Sequence, residues 1–131
     1  MPHLIVEYSA NIEAEVPPQR LLEEFHRTAI DLGIAEPVGV RTRLVRRDHY
    51  RVGDDGKDNA FVHIVARLRQ GRSTEQKKAM LEALMTQANK TLAPSFEARG
   101  VALTIEVHDI DPEFRVMRNS LRERAEKAGA A

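Results

Sequence analysis

Pro2 is the first residue of the chain whose type and place could do chemistry. Removal of Met1 before so small a second residue would leave a prolyl secondary amine at the chain start, and a neutral amine is a base. A proline at any given position is about a one-in-twenty accident, so the reading depends on its surroundings. Pro2 leads straight into His3-Leu4-Ile5-Val6-Glu7-Tyr8, whose period of two is that of a strand and would hold the amine at a sheet end. A free α-amino group titrates at roughly 8, and a secondary amine higher, so this base needs surroundings that disfavour its ammonium form. Burial and nearby positive charge both do that, and arginine is the suited neighbour because it keeps its own proton.

Arginines are concentrated where such a role needs them. The segment from Arg41 to Arg51 holds Arg41, Arg43, Arg46, Arg47 and Arg51 against Asp48 alone. Arg46, Arg47 and Arg51 read equally well as a solvated strand. Arg41 lies early in its strand, where parallel pairing with the first strand brings it toward the end that carries Pro2, or toward the copy in a neighbour. Arg72 stands between Gly71 and Ser73 at a helix start, where the backbone dipole favours anions; its alternative is an exposed loop arginine.

Those side chains must be positioned by two similar units. Strand one runs from His3 to Tyr8, with Leu4, Val6 and Tyr8 on one face. Pro17-Pro18 opens a helix that Gly33 closes, with Leu22, Phe25, Ala29 and Leu32 as its apolar stripe. After Pro37-Val38-Gly39, strand two puts Val40, Thr42 and Leu44 opposite Arg41 and Arg43, and Asp54 to Asp58 reads as a turn. Phe61 to Leu68 is strand three. Ser73 and Gln76 fit a capping box opening a second helix, striped by Leu81, Leu84, Met85, Ala88 and Leu92 and ended by Pro94. Val101 to His108 alternates as strand four.

The expectation is an α+β fold, in which two β-α-β units (about 2–53 and about 59–109) share a mixed four-stranded sheet with two helices on one face. Residues 1–131 form a single domain with a C-terminal tail over 113–131. Ile5 and Val45 on the other face point to burial against another subunit. Phe114, Met117 and Leu121 are spaced as in a short docking helix, and Arg122 to Ala131 is expected to fray.

Composition narrows the function. With 20 Lys+Arg against 20 Asp+Glu among 131 residues, the chain lacks the positive surplus of a general nucleic-acid or membrane-surface binder. It has no cysteine, hence no disulfide and no thiolate metal site. A domain near ~150 residues buries roughly 70% of its unfolded surface, enough for a core without such staples. Without a leader-like start or a long apolar run, a cytoplasmic location is expected. The five histidines, His3, His26, His49, His63 and His108, show no zinc-type spacing and no carboxylate companion, so no metal is expected. Phosphate-cradling loops and a serine nucleophile elbow are absent.

Taken together these residues resemble the tautomerase superfamily, whose members start catalysis from an amino-terminal proline. Gly71-Arg72-Ser73-Thr74-Glu75-Gln76-Lys77 is similar to the loop and helix start of 4-oxalocrotonate tautomerase, a one-unit member. Over nearly its full length the chain resembles more closely the 5-carboxymethyl-2-hydroxymuconate isomerases, which have two units. That likeness rests on Pro2-His3, Gly39-Val40-Arg41-Thr42-Arg43, Ala60-Phe61-Val62-His63 and Gly71-Arg72-Ser73, and is thinnest beyond Phe114.

The resemblance implies a fold like that of macrophage migration inhibitory factor, a homotrimer with sites at subunit interfaces, and no cofactor. It implies a dienol substrate carrying several carboxylates, and a keto–enol proton shift in homoprotocatechuate catabolism. Pro2 would take the 2-hydroxyl proton and return one to C5, while Arg41 and Arg72 hold carboxylates and stabilise oxyanion charge. Arg43 is a candidate helper and Phe61 a candidate apolar wall. Asn59-Ala60 stands where a second proline would be, so one base per chain is implied. Two further readings remain, a proline-dependent tautomerase acting on another enol acid and a non-catalytic trimeric binding protein.

Overall fold

The alternation in the first strand builds the centre of the molecule. In the computed structural model, which describes residues 2–54 and 58–130, Leu4, Val6 and Tyr8 of β1 (His3–Ser9) are buried, while His3, Ile5 and Glu7 are half-buried on the opposite face. β2 (Arg41–Arg47) pairs parallel to β1, and β3 (Ala60–Arg69) pairs antiparallel to β1 on its other side. β4 (Val101–Ile110) runs parallel to β3, which gives one sheet in the order β2-β1-β3-β4. A helical crossover within each unit returns the chain parallel, and a short link between units reverses it. Of the expected turn between β2 and β3, residues 55–57 lie outside the described residues.

Two helices cover the face that carries Leu4, Val62 and Ile64, and the core lies between them and the sheet. Pro17 precedes α1 (Pro18–Asp31), and Gly33, at φ +73°, takes the left-handed turn that stops it. α2 (Thr74–Thr91) opens with the expected capping box. The Gln76 N–H donates to Ser73 Oγ at 3.1 Å, and the Ser73 N–H donates to Gln76 Oε1 at 3.0 Å. A cap of this kind contributes about 1 kcal/mol.

Both helical stripes differ in detail from the sequence expectation. In α1 the buried residues are Leu21, Phe25 and Ala29, with Leu22 turned to the rim. In α2 they are Met80, Leu84, Ala88 and Thr91, while Leu81 is half-buried and Met85 is exposed. Each helix had two adjacent apolar residues to choose from, and the rotation set by packing between α1 and α2 decided which one enters the core. Pro94 sits in the first turn of α3 (Ala93–Ala98), after α2 has ended at Leu92. Proline suits that position because the first amides of a helix lack intrahelical partners.

The tail also departs from expectation. Pro112–Phe114 forms a 3-10 turn, 115–119 is irregular, and only at Ser120 does α4 (Ser120–Ala130) begin. Phe114, Met117 and Leu121 therefore do not share one helix, and they are 83%, 48% and 56% exposed. The stretch from Arg122, expected to fray, is helical through Ala130. Asn119 Nδ2 donates to the Val38 carbonyl at 2.9 Å, and Arg122 pairs with Glu36 at 2.7 Å, which ties the tail to the turn before β2.

Neither α1 nor α2 covers the second face of the sheet. There Glu7 accepts from Arg47 at 2.7 Å, and His63 lies between Glu7 at 3.7 Å and Glu106, which also meets His108 at 3.1 Å. His63 thus has carboxylate companions that its sequence surroundings did not show, because Glu7 and Glu106 arrive from the strands on either side, whereas the companion of His108 is Glu106 of its own strand. Among the described residues no group of three or more His, Cys, Asp or Glu is arranged to hold a metal ion. No described helix is long and apolar enough to cross a membrane.

The end of the sheet that lies away from Pro2 is a dense structural joint. Asn11 Nδ2 donates to the Asn59 carbonyl at 3.1 Å, and Asn59 Nδ2 donates to the Val52 carbonyl at 3.0 Å. Arg99 and Glu15 form an ion pair at 2.6 Å, their side chains only 13% and 14% exposed. The bond from Arg99 holds the Glu15 carboxyl below the usual carboxylate range.

Candidate active site

Strand direction decides which residues meet at the Pro2 end. β1 and β2 both begin there and β3 ends there, so Pro2, Arg41 and the residues following Arg69 are gathered at one edge. Pro2 is buried, and its carbonyl accepts the Arg41 N–H at 3.0 Å. The register places His3 opposite Arg41 on one side and Arg67 on the other. Arg43 Nη1 lies 3.1 Å from His3 Nδ1.

Arg72 reaches the same end from the helical side. It is half-buried at the entrance to α2, and its Nε donates to the Ile34 carbonyl in the connection from α1 to β2 at 3.0 Å. That bond fixes one edge of the guanidinium and leaves the fork of terminal nitrogens as the edge for an anion. Arg41 stands on the uncovered face, because the next residue, Thr42, meets His26 of α1 at 2.7 Å. The two arginines therefore approach the Pro2 end from opposite faces.

Phe61 is not in this group within one chain. It follows Ala60 at the start of β3, and its N–H donates to Ser9 Oγ at 2.9 Å, at the far end of β1. Seven strand positions separate Ser9 from Pro2, about 23 Å at ~3.3 Å per residue.

Two sets of residues at the Pro2 end escaped the sequence reading. Arg67 is brought in by the antiparallel register, which a firm pairing of Ile5 with Val65 would have revealed. The tail supplies the other set. After Gln70 N–H donates to the Ile110 carbonyl at 3.1 Å, the chain passes from the β4 edge toward the start of β2. There Arg115, Val116, Met117 and Arg118 join His3 and Arg41 around a cleft of about 280 Å³. Nothing in the local sequence of the tail marks that path.

The His3 imidazole registers the electrostatics of this place. Its pKa lies below the ordinary 6.5, first because it is buried and then because Arg43, Arg41 and Arg67 surround it with positive charge. His3 is accordingly expected to be neutral at pH 7, and Arg43→Ala to raise its midpoint in a proton NMR titration of the imidazole. A folded value below the unfolded one means that unfolding takes up a proton. His3 therefore contributes stability above pH 6.5 that is lost as the pH falls toward the folded value. Thermal unfolding across that window checks the sign, and a midpoint at or above 6.5 contradicts it.

The chain is similar to known proteins over nearly its whole length. The family model of 5-carboxymethyl-2-hydroxymuconate isomerase matches residues 2–125. The chain is 31% identical over 121 residues to 5-carboxymethyl-2-hydroxymuconate Delta-isomerase of Escherichia coli, an alignment covering 92% of this chain and 96% of that one. A crystal structure of a 5-carboxymethyl-2-hydroxymuconate isomerase from Deinococcus radiodurans R1 superposes with a TM-score of 0.86 at 28% identity, covering 95% of this chain and 93% of the other. A fused 4-OT symmetric trimer superposes with a TM-score of 0.63 at 22% identity over 88% of this chain and 93% of its own, a likeness of fold.

Proposed function

Because this chain belongs to the 5-carboxymethyl-2-hydroxymuconate isomerase family, and is therefore an isomerase, we propose that it moves a proton along a carboxylated 2-hydroxydienol with Pro2 as the base. With Met1 removed, the neutral prolyl nitrogen takes the 2-hydroxyl proton, and the resulting ammonium returns a proton to C5 as the double bond migrates. Arg41 and Arg72 bind carboxylates from the two sides of the sheet end and stabilise the developing oxyanion. Arg43 acts behind them by adding positive potential.

The observation that carries this reading is the buried Pro2 at a sheet end where the strand register gathers Arg41, Arg43 and Arg67. Burial and the charges of Arg43, Arg41 and Arg67 disfavour a proton on His3. Burial and positive charge at the same sheet end would likewise disfavour an ammonium on Pro2. A neutral chain start is what a proline base needs at pH 7.

The working assembly we propose is a homotrimer. Two features support it, the sheet face left open by α1 and α2 and the remoteness of Phe61, which can wall only the cleft of a neighbouring copy. The substrate carries several carboxylates, the reaction serves homoprotocatechuate breakdown in the cytoplasm, and no cofactor takes part.

Intact mass and a nitrogen NMR titration of labelled Pro2 test the proposal. The expected result is a chain lacking Met1, with an amine that titrates below an ordinary chain start and rises when a polycarboxylate binds. A retained Met1, or an amine titrating at an ordinary value, would remove Pro2 as the base.

A further inference from the structure

The tail crosses the one edge of the sheet where the reaction is placed, and it brings cations with it. The cleft there is lined by His3, Arg41, Arg115, Val116, Met117 and Arg118, with no carboxylate among the described residues of its wall. Arg118 is already neutralised by Glu123, which accepts from its Nε at 3.1 Å and from its Nη2 at 3.2 Å. Arg115 differs. Its Nε is buried and has no hydrogen-bond partner, and its Nη1 reaches only the Met117 sulfur at 4.0 Å. With the Nε shut away from the cleft, the terminal nitrogens are the edge that Arg115 can offer to an anion there.

We propose that Arg115 is a specificity-determining residue that binds one further carboxylate of the substrate, the one borne by the carboxymethyl arm. This rests on the reading above, in which Arg41 and Arg72 take the two carboxylates of the muconate skeleton. A 5-carboxymethyl-2-hydroxymuconate carries a third, and Arg115 is the remaining cation of the cleft without a carboxylate partner among the described residues. The tail is held in place for this by Asn119 on the Val38 carbonyl and by Arg122 on Glu36. An arginine supplied by a strap of chain, instead of by the sheet, lets the length of accepted substrate change without disturbing the base.

The test is substrate discrimination. For the wild type and for Arg115→Gln, kcat/KM is measured with 5-carboxymethyl-2-hydroxymuconate and with 2-hydroxymuconate, which lacks the arm. One charge-assisted hydrogen-bonded pair predicts that the preference for the tricarboxylate falls about 10- to 100-fold, mainly through KM, with partial recovery in Arg115→Lys. A ratio that stays within about twofold of the wild type, or an equal loss on both substrates, overturns the proposal.

A second measurement is independent of turnover. Calorimetric titration with propane-1,2,3-tricarboxylate and with glutarate should show a preference for the former in the wild type that Arg115→Gln abolishes. If that binding result holds while neither dienol is turned over, the isomerase reading fails and the role of Arg115 stands. If both dienols are turned over but the binding preference survives Arg115→Gln, the role of Arg115 fails alone.

Discussion

Pro2→Ala is expected to lower kcat/KM for the dienol acid by about 100- to 10,000-fold, the range that a positioned general acid–base group supplies. Alanine is also small enough for Met1 to be removed before it, so an amine remains at the chain start. What is lost is the ring, which is buried here and locks the backbone torsion at the entrance to β1. The primary amine that replaces it is less basic and less rigidly aimed, so the loss should fall chiefly in kcat, with KM changed little. Following the dienol by ultraviolet absorbance alongside a thermal melt separates chemistry from folding. Undiminished turnover by a well-folded Pro2→Ala protein would move the base elsewhere in the molecule.

Arg72→Ala is the second large effect, about 100- to 1,000-fold in kcat, as for the removal of one donor that stabilises an oxyanion. Lysine should restore little of it, because a single ammonium cannot both hold the Ile34 carbonyl and present a planar fork to a carboxylate. A melt distinguishes the structural share, since the lost bond to Ile34 loosens the connection from α1 to β2. Arg41→Ala belongs to the same test. If neither variant alters turnover or dicarboxylate binding, Arg41 and Arg72 have no part in the site and the binding-protein reading gains.

Much of this arrangement was legible in the residues. Strand alternation and the order strand–helix–strand, taken twice, lead to the mixed sheet, and the sheet directions then bring Pro2, Arg41 and Arg72 to one end. Local patterns could not settle helix rotation. Leu21 beside Leu22, and Met80 beside Leu81, are interchangeable by type, and the choice belongs to the packing of α1 on α2. Nor could they reveal contacts across strands, such as Glu106 on His63 or Arg67 beside His3. The path of the tail was the least legible. Its helix starts later than the apolar spacing suggests, and Arg115 reaches the cleft through tertiary anchors at Val38 and Glu36 that have no periodicity.

The antiparallel seam between β1 and β3 makes the molecule two-ended. Each unit sends the start of its first strand to a different pole, so the counterpart of Pro2 in the second unit, Ala60, lies at the opposite pole from Pro2. That pole is laced by Asn11, Asn59 and the Arg99–Glu15 pair. A duplicated ancestor arranged in this way could assign mechanical duty to one pole and reactivity to the other. Substitutions that retune the reactive pole would then leave the rivets at the other pole untouched.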